Sequence, residues 1–236
     1  MRVQGTDMRR FWDERAKEDA YYFVDNRLDY GAPDVERFWD GGEEALGLLL
    51  EIAGASIEPD HTVLDIGCGL GRLSRAAASR AAKVLALDVS TEMLRQAREL
   101  NAQLTGVEWI HGDGLTLQPI PDASVDACIS IVVFQHIPDP AITLGYMREI
   151  GRVLRPGGFA AFQLSTDERI HHPNQPLRSR LRSLRGRGPR GQSNPSWVGS
   201  AVNVDDLRAV CGEAGLGLER VEDPGTQYTT VLAKRR

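Results

Sequence analysis

Three carboxylates and a histidine stand where apolar runs of this 236-residue chain end. Asp65 lies in Val63-Leu64-Asp65-Ile66, just ahead of Gly67-Cys68-Gly69-Leu70-Gly71. Asp88 ends the run from Lys83, Asp113 sits between Gly112 and Gly114, and His136 follows the run Val125–Phe134. Carboxylates accept hydrogen bonds from hydroxyl, amino and ammonium groups. A histidine can take a proton from a reacting atom near neutral pH. Gly67, Gly69 and Gly71 let the backbone turn sharply and let a ligand approach the main chain with no Cβ in the way. N–H groups at the start of the helix that follows can face that ligand. A G-x-G-x-x-G turn would suit a pyrophosphate, but this spacing is G-x-G-x-G, and Asp65 would repel phosphate. The chemistry predicted is capture of a ligand with an ammonium group, hydroxyls and no phosphate.

Such residues need a scaffold that gathers them at one edge. Val63, Leu64 and Ile66 read as a strand covered on both faces, and the glycine turn leads into a helix to about Arg80. Lys83–Asp88 is a second strand. Its Asp88 falls about twenty residues past the turn, where a βαβ unit brings it beside the first strand to accept both hydroxyls of a ribose. Ser90 caps a helix whose buried stripe is Met93, Leu94, Ala97 and Leu100. Val107 to Gly114 is a third strand with its turn, and Val125 to Phe134 a fourth. Asp139-Pro140 starts a helix to about Leu154. Arg155-Pro156-Gly157-Gly158 turns into a fifth strand, Phe159 to Leu164. Asn203 caps a helix to about Ala214, and Leu216–Val221 and Tyr228–Ala233 are the last strands. Strands alternating with helices predict a doubly wound, Rossmann-like α/β sheet, with ligands beyond the carboxyl ends of its strands.

Ahead of this core, residues 8 to 27 carry Phe11, Trp12, Ala16, Ala20, Tyr22 and Phe23 at helical spacing. That helix predicts a cover over the site, with Tyr21, Tyr22 or Phe23 against adenosine or acceptor. Asp34 to Gly54 continues as helix, interrupted at Gly41-Gly42, with Leu46, Leu49, Leu50 and Ala53 against the sheet. The divisions expected are 1–55 as a helical cap, 56–165 as the ligand-binding core, 166–202 as an insertion, and 203–236 completing the sheet. In the insertion, Arg178, Arg180, Arg182, Arg185, Arg187 and Arg190 put six arginines in thirteen residues. They read as a lid over the acceptor or as an anion contact.

The segments VLDIGCGLGRLS, ALDVS, HGDG, VFQHIPD and LRPGGFAAF, in this order and spacing, resemble those of the small stand-alone class I S-adenosylmethionine-dependent methyltransferases. The likeness covers residues 60 to 165 well and the last third loosely. It implies a seven-stranded, mainly parallel sheet with the last strand inserted antiparallel between strands five and six. It also implies S-adenosylmethionine as cofactor: Asp65, Gly67, Cys68 and Gly69 on the methionine part, Asp88 and Val89 at the ribose, Asp113 and Gly114 reading adenine with Met93 nearby, and Val132 at the fourth strand end. S-adenosylmethionine has the ammonium and hydroxyls sought above and no phosphate. Enzymes of this fold that methylate nucleobase amines often carry N/D-P-P-Y/F/W after the fourth strand. Here that place reads Val133-Phe134-Gln135-His136, which disfavours a nucleobase.

The reaction expected is in-line transfer of the methyl group to an O or N atom of a small molecule, for example a secondary metabolite. Positioning can account for about 7–11 kcal/mol of the barrier. His136 is the first candidate base, Gln135 an acceptor contact, and His171 and His172 at the mouth of the insertion are further acceptor contacts. RNA or a carrier-protein-bound acceptor, a catalytically silent S-adenosylmethionine-binding regulator and a nicotinamide dehydrogenase are the alternatives. The net charge of −5 carries no global nucleic-acid signature. No apolar run approaches the ~18–20 residues of a membrane span, and Met1 to Arg15 is too polar for a secretory signal. Cys68, Cys128 and Cys211, an odd number without C-x-x-C spacing, predict reduced thiols in a cytoplasmic protein with no metal site. Oligomeric state is not legible, and a homodimer stays open.

Overall fold

Apolar runs rich in Val, Ile, Leu and Ala, bounded by polar turns, become the strands of one sheet, as the expected doubly wound fold requires. The computed structural model describes residues 5–171 and 189–236. Strands β1 (Thr62–Ile66), β2 (Lys83–Asp88), β3 (Val107–His111), β4 (Val125–Ser130), β5 (Leu154–Leu164), β6 (Leu216–Glu222) and β7 (Thr229–Arg235) lie in the order β3-β2-β1-β4-β5-β7-β6. All neighbours are parallel except β7, which runs antiparallel between β5 and β6. The chain moves outward from β1 through β2 to β3, then returns to place β4 on the other side of β1. The switch in direction therefore lies between β1 and β4, which is where open α/β sheets form ligand crevices.

Helices cover both faces. α2 (Val35–Ala53) and α3 (Arg72–Ala78) lie on one, α5 (Pro140–Val153) and α7 (Val204–Glu213) on the other. The pleat sorts β1 between them: Val63 packs with Leu46 and Leu73, while Leu64 packs with Met147 and Ile150. α4 (Thr91–Leu100) begins at Ser90, whose hydroxyl accepts the Met93 N–H at 3.1 Å, a cap worth about 1 kcal/mol. α1 (Gly5–Val24) rides over α4. Asp13 accepts from the Ser90 hydroxyl at 2.7 Å and the Glu92 N–H at 3.0 Å, and Gln96 donates to the Ala16 carbonyl at 2.9 Å. α1 breaks at Asp19, where the backbone is extended (φ −167°), and the Asp19 carboxylate caps the second half by accepting the Tyr22 N–H.

Several boundaries differ from the expectations. α2 runs unbroken through Gly41-Gly42 between its Asp34 cap and Gly54. The glycines are there for packing: a Cβ on Gly42 would lie 2.5 Å from the Arg72 carbonyl oxygen. β4 ends at Ser130, not Phe134; Val132 turns into the left-handed region (φ 59°) and Phe134–His136 form a 3-10 turn. The apolar run continues because that turn is buried, so its pattern imitates strand. β5 begins at Leu154, and the residues 155–158 bulge out between the Leu154–Val125 and Phe159–Ala127 pairings. α6 (Pro195–Val198) is a single turn. His172 and the arginines from Arg178 to Arg187 fall outside the described residues. No helix among the described residues is long and apolar enough to cross a membrane.

Candidate active site

An open cleft lies beyond the carboxyl ends of β1, β2 and β4, the place where open α/β sheets bind ligands. Gly67, Cys68 and Gly69 form its floor. Asp88, Val89, Met93 and Gly114 enter from the β2 and β3 ends, and Val132, Val133 and His136 from the β4 end. Met8, Trp12 and Phe23 of α1 roof it, and Arg72 and Tyr146 are also in the lining.

The glycine turn takes the left-handed conformation at Gly67 (φ 76°), Gly69 (φ 55°) and Gly71 (φ 86°), which only glycine adopts at no steric cost. The N–H groups of Gly67, Cys68, Gly69 and Gly71 bond within the chain. Gly67 and Cys68 both donate to the Leu87 carbonyl, at 2.8 and 3.0 Å. Gly69 donates to the Asp88 carboxylate at 2.8 Å, and Gly71 to the Cys68 carbonyl. A phosphate needs free donors, and those of Gly67, Cys68 and Gly69 are spent on β2. What the turn offers is peptide carbonyls, which suit an ammonium group; a Cβ on Gly67, Gly69 or Gly71 would meet the side chains of Val133, Val24 and Trp109.

Asp88 is buried, and its two oxygens accept from Gly69 and Ser90, each at 2.8 Å. Burial raises its pKa, while those two backbone bonds pull it down. Each carboxylate oxygen keeps a lone pair for a further donor, so ligand hydroxyls can still be accepted at this edge of the cleft. Asp65 lies elsewhere. The two-residue period puts it on the Val63 face, beneath α3, where the Ser74 hydroxyl donates to one oxygen at 2.6 Å. Its other oxygen is buried with no partner among the described residues. Burial pushes its carboxyl up to about 7, against the Ser74 bond. Asp113 is also outside the lining. Its oxygens accept the N–H groups of Leu115 and Thr116 and the Thr116 hydroxyl, so it shapes its own turn.

His136 is half-buried in an aromatic nest. Trp12 meets it edge-on at 5.5 Å, Trp197 lies at 5.2 Å, and Phe23 packs on Trp197 at 5.5 Å. Its Nδ1 lies 2.9 Å from the Trp197 carbonyl. A carbonyl only accepts, so Nδ1 carries the proton and Nε2 keeps its lone pair. Burial depresses the imidazole to about 4, against the Trp197 bond, so the ring is neutral at pH 7.

The other acceptor-side candidates are not gathered here. Tyr21 packs on Phe38, Tyr22 on Phe23 and Tyr30, and Gln135 is buried outside the lining. His171 bonds to Val198 and Ser165. Of the three aromatic residues 21–23, Phe23 alone reaches the cleft. Met8, Trp12, Arg72 and Tyr146 line the cleft although sequence reasoning does not single them out. The Met8–Trp12 spacing of one helical turn is a visible signal, since it places both on one face; Tyr146 carries no such signal.

A methyltransferase-domain family model matches residues 64–162. The chain is similar to a malonyl-[acyl-carrier protein] O-methyltransferase of Serratia marcescens, 37% identical over 123 residues, covering 52% of this chain and 43% of that protein. It is also similar to an arsenite methyltransferase of Halobacterium salinarum, 31% identical over 209 residues, covering 86% of this chain and 49% of that protein. The chain spans less than two thirds of the length of the first curated relatives it matches. Its fold is that of the magnesium protoporphyrin IX methyltransferase of Synechocystis PCC 6803, solved with S-adenosylhomocysteine. The TM-score is 0.65 at 18% identity, covering 98% of this chain and 99% of that one. By its methyltransferase-domain match over residues 64–162 and by these relatives, the chain is similar to the class I S-adenosylmethionine-dependent methyltransferases.

Proposed function

We propose that this chain transfers the methyl group of S-adenosylmethionine to an O or N atom of a small acceptor lodged under α1. The observation that carries the reading is the turn whose Gly67, Cys68 and Gly69 donors are spent on β2 while Asp88 keeps acceptor capacity at the same edge. That combination rejects phosphate and welcomes an ammonium group and hydroxyls. Gly67, Cys68 and Gly69 would hold the methionine part and Asp88 the ribose. Val89, Met93, Gly114 and Met8 form the apolar slot for adenine. Asp113 serves by shaping the turn that presents Gly114, and Asp65 by holding α3 through Ser74.

The cofactor supplies an electrophilic methyl group on a sulfonium. The protein's part is to hold the acceptor atom in line and to keep water out. Trp12 and Phe23 wall the acceptor side beside Val132, Val133 and His136. Alignment of this kind is worth up to about 7–11 kcal/mol. His136 Nε2 is open to accept a proton from a hydroxyl or ammonium acceptor. A base held near 4 is weak at neutral pH, so its share belongs at the low end of general-base catalysis, about 10²-fold. The apolar lining favours a small molecule over a nucleic acid.

Calorimetry with S-adenosylhomocysteine and with NAD tests the cofactor reading. Heat with S-adenosylhomocysteine alone is expected; heat with NAD alone would overturn it. Methyl transfer from labelled S-adenosylmethionine across a metabolite panel then identifies the acceptor.

A further inference from the structure

We propose that His171 is a positioning residue, which holds His136 in its Nε2-open tautomer through the strap Trp197–Ser200. This rests on the reading of His136 as the group that faces the acceptor.

The argument begins at α6. A helix leaves its last carbonyls without intrahelical partners, and in this one turn the N–H groups of Trp197, Val198 and Gly199 bond backward to Asn194 and Pro195. The carbonyls of Trp197 and Val198 are taken by two histidines from different parts of the chain. His136 Nδ1 lies 2.9 Å from the first and His171 Nδ1 lies 2.6 Å from the second. Both rings must carry hydrogen on Nδ1, because the acceptor is a carbonyl in each case.

His171 is in turn fixed to the sheet. Its Nε2 lies 2.7 Å from the hydroxyl of Ser165, the residue just past β5, and the Ser165 carbonyl accepts the Val202 N–H at 2.9 Å. On the opposite side the strap is seated on the His136 turn. The Ser200 hydroxyl donates to the Ile137 carbonyl at 2.7 Å. Gly199 (φ 67°) lies so close that a Cβ there would overlap the Gln135 carbonyl and come within 2.9 Å of the His136 Cα. The Trp197 ring packs on the imidazole itself. A rigid path thus runs from β5 through Ser165 and His171 to the peptide that fixes the proton of His136. Without His171 the Val198 carbonyl loses its partner, the strap loosens, and His136 is free to place its hydrogen on Nε2, where it can no longer accept one.

The test is long-range proton–nitrogen NMR of the imidazole rings in the full chain with S-adenosylhomocysteine, His136→Ala serving to assign the His136 signals. The wild type should show one tautomer at His136, protonated at Nδ1. His171→Ala should lose that single pattern, and Ser165→Ala should weaken it. His171→Asn should restore it, since its amide nitrogen stands where Nδ1 stood. S-adenosylhomocysteine affinity should be the same in the wild type, His171→Ala, Ser165→Ala and His171→Asn. A single Nδ1–H tautomer in folded His171→Ala would overturn the proposal, as would His171→Asn behaving like His171→Ala. If His171→Ala does not fold, an unaltered tautomer in Ser165→Ala overturns it instead. Absence of S-adenosylhomocysteine heat would sink the cofactor reading alone, because the tautomers can be compared in the free protein.

Discussion

The Gly69 N–H donates to the Asp88 carboxylate at 2.8 Å, so the glycine turn on β1 and the acidic end of β2 are one unit. A ligand that meets one meets the other in fixed geometry. Asp88→Ala should weaken S-adenosylhomocysteine binding roughly ten- to a hundredfold, or about 1.5–3 kcal/mol. It should also lower stability by about 1–3 kcal/mol for each backbone N–H left unpaired at Gly69 and Ser90. Calorimetry and urea unfolding on the same sample separate the two losses. Unchanged affinity would place the ribose elsewhere.

Asp65 makes stability depend on pH in the direction opposite to most carboxylates. Its carboxyl titrates at about 7 in the folded protein against 3.8 for an unperturbed aspartate. Between those values the folded chain holds a proton that the unfolded chain has released, so this residue's contribution falls as pH rises. The full effect is at most on the order of 4 kcal/mol. Asp65→Asn should abolish that slope, so its melting temperature should gain on the wild type from about pH 5 to about pH 8. Parallel melting curves would refute the raised value.

His136 behaves the other way. Its folded value of about 4 lies below the ordinary imidazole value of 6.5, so its neutral form contributes stability that is present above about 6.5 and lost as pH falls toward 4. The ring should therefore stay neutral from about pH 8 down to about pH 5, and any acid limb that it causes in kcat/KM should appear at about 4. An NMR inflection for His136 between about pH 6 and 7 would contradict the burial argument.

Trp12 joins α1 to the nest around His136. Trp12→Ala removes ring contacts with Phe11, His136 and Trp197, each worth about 0.5–1.5 kcal/mol. Once an acceptor is known, its KM should rise about tenfold or more, equivalent to about 1.4 kcal/mol, with S-adenosylhomocysteine affinity little changed. Steady-state kinetics read against calorimetry decides whether α1 serves acceptor or cofactor.

The chain's own order determined the alternation of strands and helices, because apolar runs and caps are local signals. Ser90, Asp139 and Asn203 each cap the helix that the sequence assigns to them. The glycine turn and Asp88 were legible for the same reason, since a βαβ unit of fixed length brings one beside the other. Three things were settled only by packing. The pleat put Asp65 beneath α3, and local donors claimed both oxygens of Asp113, so two of three acidic strand ends do not line the cleft. The buried run after β4 kept a strand pattern while Val132 entered the left-handed region, a strain of about 1–3 kcal/mol that no periodicity reveals. Trp12, His136, His171 and Trp197 are distant in sequence, and only the folded chain makes them neighbours. Types and spacing placed Asp88 at the edge of the cleft; which nitrogen of His136 holds its proton was decided by the carbonyl that tertiary structure set against it.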